Sequence, residues 1–195
     1  MSSSLLFTAL ITLVLLLIVP SSTAFIADTD GDPIHNGREY YIVPVTSKSG
    51  LTYTQKNGGC PLYITSSSKT ENSPGTPITI FSPARLPFIF PNLHIGLSFK
   101  GPTPCGESVM WTQTLDPSSR KAYITTGGDA RMSFIITKGK KSNNLHTYEL
   151  KYLSFEDDNR NNVGLFEDDG LLGLTKNPTA VSFKKAFNFL ELSTS

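Results

Sequence analysis

One short stretch of the chain concentrates residues that could do chemistry: Ser82-Pro83-Ala84-Arg85-Leu86-Pro87-Phe88. Proline fixes its own φ near about −65° and pushes the residue before it toward extended backbone. Pro83 and Pro87 therefore stiffen the segment and bias Ser82 and Leu86 toward an extended course. Ala84 is small, and Arg85 is the only long charged side chain between the two prolines. A guanidinium presents its donors in a planar fork that matches a carboxylate. An extended Arg85–Leu86 bond is what an arginine-specific protease reads as a substrate. Taken alone, the stretch reads as a surface turn carrying an incidental arginine.

Other groupings carry less. Asp28, Asp30, Asp32 and Glu39 fall at positions one, three, five and twelve of an EF-hand loop, but the sixth position, where that loop needs glycine, is Pro33. A calcium loop is not expected. His35, His94 and His146 have no metal-ligand partner at short spacing, and there is no CxxC, so no metal site is expected. There is no GxSxG elbow and no glycine-rich phosphate loop, so neither an enzyme nor a bound cofactor is expected. Asp157/Asp158 and Asp168/Asp169 are adjacent pairs that point to opposite faces of a strand. They read as turn residues rather than glycosidase acids. Lys138, Gly139, Lys140 and Lys141 read as a solvated hairpin turn.

These residues must be positioned by the rest of the chain. Residues 9–19, ALITLVLLLIV, form an apolar run too short to span a bilayer. Pro20 and the small residues SSTA follow, with Ser22 and Ala24 at the −3 and −1 positions of a cleavage after Ala24. The pattern predicts a secretory signal peptide over 1–24 and one domain over 25–195. The destination is the secretory pathway, extracellular or vacuolar. The formal charge of +1 gives no electrostatic case for nucleic acid or for an acidic membrane. Two cysteines, Cys60 and Cys105, in a secreted chain favour one disulfide over two buried thiols. That span encloses the arginine segment.

Short apolar bursts recur at 39–45, 60–65, 77–81, 96–100, 108–114, 121–127, 131–137, 146–155, 163–167, 171–175 and 180–189. Turn signals such as KNGG, SPGTP, DPSS, TGGD and EDDG separate most of them. In the last burst Val181, Phe183, Phe187 and Phe189 share one face. About eleven short strands without a convincing helix predict an all-β sandwich or barrel. Division into three units of four strands is compatible with this spacing.

Two further stretches add a resemblance. IADTDGDPIHNGREYYI carries an aliphatic residue, then Asp28, Gly31, Ile34, Tyr40 and Ile42, at the spacings of the N-terminal signature of plant Kunitz-type inhibitors, the soybean trypsin inhibitor family. CPLYITSS (60–67), PITIFSPARLPFIF (77–90), GLSFK, Cys105 with Trp111, and VGLFEDDGLLGLTKNPTAVSFKKA follow in that family's order. The chain resembles the family over roughly residues 25–192.

The resemblance implies a β-trefoil of twelve strands, six in a barrel and six in a hairpin cap. It implies a non-enzymatic serine protease inhibitor, secreted, active in plant defence and monomeric, with a secreted trypsin-like protease as partner. By position, Arg85–Leu86 is the reactive bond, Ser82, Pro83, Ala84 and Pro87 complete the inhibitory loop, and Asn36 supports it from beneath. The alternatives kept open are a ligand of another hydrolase through a different loop, and a storage or carbohydrate-binding trefoil. Two departures stand out. The family usually has four cysteines, and here Leu153 and Arg160 occupy the places of the second pair. Pro87, the second residue after the bond, has no N–H to give a protease carbonyl.

Overall fold

The computed structural model describes residues 25–47, 49–67, 73–129, 132–139, 146–153 and 162–186. The expected leader, Arg160, Asp157/Asp158, Lys140/Lys141, Phe187 and Phe189 lie outside these residues. Twelve strands run through the described residues. They are β1 (Glu39–Pro44), β2 (Leu51–Gln55), β3 (Leu62–Ser66), β4 (Ile78–Phe81), β5 (Gly96–Phe99) and β6 (Thr112–Leu115). The second half holds β7 (Ala122–Thr125), β8 (Phe134–Lys138), β9 (Tyr148–Tyr152), β10 (Val163–Leu165), β11 (Leu172–Leu174) and β12 (Ala180–Lys185).

The strands sort by partner into a barrel and a cap. One sheet has the order β5-β4-β1-β12-β9-β8. Its two edges meet at Ile95 and Phe134, which exchange backbone hydrogen bonds of 2.9 and 3.1 Å and close the sheet into a six-stranded barrel. Closure removes the exposed edges that an open sheet would present. The cap is three hairpins, β2-β3, β6-β7 and β10-β11, joined through Tyr63↔Thr125, Tyr123↔Gly173 and Thr65↔Leu171. Each consecutive group of four strands gives its first and last to the barrel and its middle pair to the cap. The fold is a β-trefoil.

Period-two alternation selects the core. In β1, Tyr40, Ile42 and Pro44 point inward while Glu39, Tyr41 and Val43 are half-buried. Ile42, Ile78, Ile80, Leu97, Ile136 and Phe183 are fully buried in the barrel. Trp111 sits between Phe99 and Phe134, at ring-centroid distances of 5.3 and 6.2 Å. Cys60 and Cys105 form a disulfide that closes a 45-residue separation around the arginine segment.

Two strand assignments differ from the sequence reading. β2 has no apolar burst: in Leu51-Thr-Tyr-Thr-Gln only Leu51 is buried, because the strand lies in the cap with its tip in solvent. β6 starts at Thr112 rather than Ser108. The residues before it run beside β5 instead, with Phe99 N–H donating to Val109 O and Trp111 N–H to Leu97 O. Asp168 and Asp169 lie in a turn. There Lys121 pairs with Asp168, and the Tyr123 hydroxyl donates to Asp169 at 2.7 Å.

Candidate functional site: a clamped arginine loop

The arginine segment leaves the barrel from β4 and returns through β5. At the base, Gly96 faces Phe81 across the β4-β5 ladder. A Cβ on Gly96 would stand 2.4 Å from the Phe81 ring, so any larger residue there would have to displace the ring. The Ser82 hydroxyl donates to His94 O at 2.8 Å, and Ala84 N–H donates to the same hydroxyl at 3.3 Å. The first bond ties the leading side of the loop to the segment just ahead of β5, and the second tightens the loop on itself.

The clamp comes from the N-terminal segment. Asn36 lies under the loop with its amide turned toward the backbone. Ser82 N–H donates to Asn36 Oδ1 at 2.9 Å, and Asn36 Nδ2 faces the carbonyls of Ser82, Ala84 and Leu86 at 3.2, 3.1 and 3.1 Å. Two N–H protons are shared among three acceptors, so at least one bond is bifurcated. Asn36 N–H donates to Pro87 O at 2.9 Å, and Gly37 N–H donates to Ile80 O at 2.8 Å. Gly37 has φ +79°, a left-handed conformation that glycine takes without a Cβ penalty. One residue therefore bonds both sides of the Arg85–Leu86 bond.

The clamp is itself anchored. Asp28 is fully buried, and its Oδ1 accepts the N–H groups of Asp30 and Asp32 at 2.9 and 3.0 Å, folding residues 28–32 into a turn. Its Oδ2 has no hydrogen-bond donor among the described residues but lies 3.4 Å from Lys185 Nζ on β12. Lys185 also pairs with Asp32, which holds that carboxyl below the usual carboxylate range and raises the lysine. Thr29 N–H donates to Phe183 O at 2.8 Å. Two tyrosine hydroxyls from the barrel take further backbone donors, Ala27 N–H on Tyr148 and His35 N–H on Tyr40. Burial pushes both phenols above their ordinary range, which keeps them neutral. The motif residues Asp28 and Tyr40 thus both hold the segment that carries Asn36.

Against this backing the tip stands in solvent. Pro83, Arg85, Leu86 and Pro87 are exposed, while Ser82 and Ala84 are half-buried. No hydrogen bond or ion pair among the described residues holds the Arg85 guanidinium. The result is an arginyl bond whose flanking carbonyls are bonded from beneath and whose cationic side chain is exposed. The sequence singled out the loop, and the family resemblance singled out Asn36, which lies beneath it; neither gave the anchors a role. The His94 carbonyl leaves no side-chain signal, and Lys185 is far away in the chain.

Residues 26–185 match the family model described as trypsin and protease inhibitor, the legume Kunitz group. The chain belongs to the Kunitz family of trypsin and protease inhibitors. It is 30% identical to trypsin inhibitor 2 of Psophocarpus tetragonolobus over 176 residues, covering 83% of this chain and 96% of that inhibitor. The porcine pancreatic trypsin/soybean trypsin inhibitor complex contains a chain similar at 25% identity and TM-score 0.67, covering 84% of this Kunitz chain and all of that one. The water-soluble chlorophyll protein of Brassica oleracea shares the fold at TM-score 0.68 and 23% identity, over 84% of this chain and 99% of its own. The Kunitz trefoil is thus shared with a protein described as chlorophyll-binding, so the site must carry the functional argument.

Proposed function

We propose that this Kunitz protein inhibits a trypsin-like serine protease by offering Arg85–Leu86 as a substrate bond that the scaffold does not release. The observation that carries the reading is the Asn36 amide, which bonds carbonyls on both sides of that bond while Arg85 projects freely.

A flexible peptide entering a protease cleft loses about 1–2 kcal/mol of backbone entropy for each residue fixed. Here that ordering is complete at folding, so association is tighter for the same contacts. The Arg85 guanidinium enters a pocket with a carboxylate at its base. Attack of the protease nucleophile on the Arg85 carbonyl breaks the bond to Leu86. It leaves an acyl-enzyme on Arg85 and a free amine on Leu86. Asn36 holds Ala84 O and Leu86 O, so the new amine stays beside the acyl group and re-forms the peptide while expelling the nucleophile.

The protein acts as a secreted monomer, with residues 1–24 as its leader and 25–195 as the inhibitory domain. The test is the inhibition constant of the secreted protein and of Arg85→Ala against pancreatic trypsin and a set of arginine-specific serine proteases. Loss of at least a hundredfold in the variant is expected. Equal constants for the two proteins remove Arg85 from the role and direct attention to another loop.

A further inference from the structure

The sequence holds two Asn-Gly steps, Asn36-Gly37 and Asn57-Gly58. At such a step an asparagine can convert itself, because the glycine nitrogen is uncrowded by a Cβ and can attack the asparagine Cγ. The new N–Cγ bond closes a succinimide ring, and the side-chain nitrogen leaves as ammonia with the proton of the glycine amide. Water then opens the ring at either carbonyl. One opening gives aspartate; the other gives isoaspartate, with the main chain running through the former side chain. The reaction needs two freedoms. The asparagine amide must swing back over its own main chain, and the glycine N–H must be free to lose its proton.

The fold gives these freedoms to one step and withholds them from the other. Asn57 and Gly58 sit in the exposed turn between β2 and β3, with φ +55° and +72°. Neither the Asn57 side chain nor the Gly58 N–H makes a hydrogen bond among the described residues. Asn36 is locked. Its Oδ1 accepts from Ser82 N–H, its Nδ2 faces three loop carbonyls, and Gly37 N–H is held by Ile80 O. Its main chain is fixed as well. The trailing side of the loop and the N-terminal segment form a small ribbon, in which Ile26 N–H donates to Ile89 O at 3.0 Å and Ile89 N–H to Ile34 O at 2.9 Å.

We propose that Asn36-Gly37 is a latent self-modification site gated by the arginine loop. While the loop sits on the clamp, the step is silent. When the loop lifts, the amide that held it is released to cyclise. The product does not resume the clamp. An aspartate sets a carboxylate against the carbonyls of Ser82, Ala84 and Leu86, and an isoaspartate adds a methylene to the main chain between the clamp and Gly37. A passing loosening of the loop thereby becomes permanent. The gating stands on the hydrogen bonds alone; its consequence for inhibition rests on the proposed reading of Arg85.

The test holds the purified secreted protein in mildly alkaline buffer and follows both steps by peptide mapping. It compares the folded parent, the parent unfolded in urea, Pro83→Gly/Pro87→Gly, and folded chain cut at Arg85–Leu86. Opening several bonds of ordinary net strength should make Asn36 about a hundredfold slower in the folded parent than in the unfolded chain, and slower than Asn57. At least one of the two loosened forms should raise the Asn36 rate about tenfold while leaving the Asn57 rate unchanged. An Asn36 rate in the folded parent within about threefold of the unfolded rate overturns the proposal, as does an Asn36 rate that neither loosened form raises. Chain converted at position 36, prepared in an Asn57→Ser background, should inhibit at least about tenfold more weakly than unconverted chain. Equal constants for the two overturn the disarming. Retained inhibition by Arg85→Ala removes the arginine reading and leaves the gated rates standing.

Discussion

Replacing Asn36 by alanine removes the clamp without touching the residues that meet the protease. The side chain makes one acceptor bond, from Ser82 N–H, and supplies two protons to three carbonyls. Three bonds at a net ~0.5–1.5 kcal/mol each set a range of about 1.5–4.5 kcal/mol. The lower half applies, because exposed loop carbonyls can turn to water once released. Backbone bonds from Asn36 N–H to Pro87 O and from Gly37 N–H to Ile80 O survive the substitution. The loop is thus loosened rather than lost. If binding must then re-order the loop, the inhibition constant should rise roughly 10- to 100-fold, at about 1.4 kcal/mol per tenfold. The melting temperature should fall by only a few degrees. Asn36→Asp gives a sharper test. It keeps the acceptor for Ser82 N–H but sets a carboxylate against three carbonyls, so its loss should equal or exceed that of alanine. The assay pairs inhibition constants with intact-mass analysis after long incubation with protease. Chain cut at Arg85–Leu86 should accumulate faster in both variants. Constants within twofold of the parent, in folded protein, would refute the preorganisation argument.

Other perturbations test other parts. Pro87→Ala returns an N–H to the protease-facing backbone at the loss of ~0.4–1 kcal/mol of proline stiffening, against ~1–3 kcal/mol for an unpaired acceptor. Trypsin inhibition should tighten by about tenfold at the middle of these ranges, and a weaker constant would show that stiffness dominates. Converting Cys60 and Cys105 together to serine frees a 45-residue span. The chain-entropy model assigns about 4 kcal/mol to such a loop, so a calorimetric melting point roughly 5–15 °C lower is expected, with the Asn36 bonds unaffected. Lys185 and Lys56 hold Asp32 and Asp116 below the usual carboxylate range, while Lys56, Lys121 and Lys185 are raised by their carboxylate partners. A depressed carboxylate contributes above its unfolded pKa near about 4 and is lost as pH falls through its folded value. A raised lysine contributes below about 10.4 and is lost as pH rises through its folded value. Melting temperature should therefore be flat between about pH 5 and 9 and decline on the acid side below about 4. A steady fall from pH 8 to pH 5 contradicts this.

The two prolines around Arg85 state a stiff tip in seven residues, but alone they state only a surface turn; the resemblance carried by the flanking stretches is what singled out the loop and Asn36 beneath it. The strands were legible where apolar residues cluster, as in PITIF and RMSFIIT, and illegible where the cap exposes both faces, as in LTYTQ. What could not be read was the long-range anchoring. Asp28 looked like a misplaced calcium ligand because its spacing to Asp30 and Asp32 is suggestive. In the fold that same spacing makes a turn, with Asp28 Oδ1 accepting from the two later N–H groups. Nothing local in the sequence says that Lys185 closes the turn from the last strand.

The anchoring explains why a barrel is needed to hold seven residues. A loop fixed only by its prolines would stay extended while intact, but cutting Arg85–Leu86 would leave two free ends. Each end here has its own attachment. The leading end is tied by Ser82 to His94 O and by β4 to the barrel; the trailing end is tied by Asn36 N–H to Pro87 O and by Ile89 to Ile34. Both ends are also bonded to Asn36, with Ser82 N–H on its Oδ1 and Pro87 O on its N–H, and residues 26–37 are held to β12 through Phe183 O and Lys185. On the proposed reading, an amine released at Leu86 would therefore remain part of the same rigid body as the acyl group it left. Re-forming the bond is then an intramolecular reaction at high effective concentration, whereas escape of either end requires breaking the ribbon or the barrel edge. Persistence of inhibition is accordingly a property of the whole trefoil. It should fail first at Asn36 and the N-terminal ribbon, the thinnest part of that connection, before the barrel itself melts.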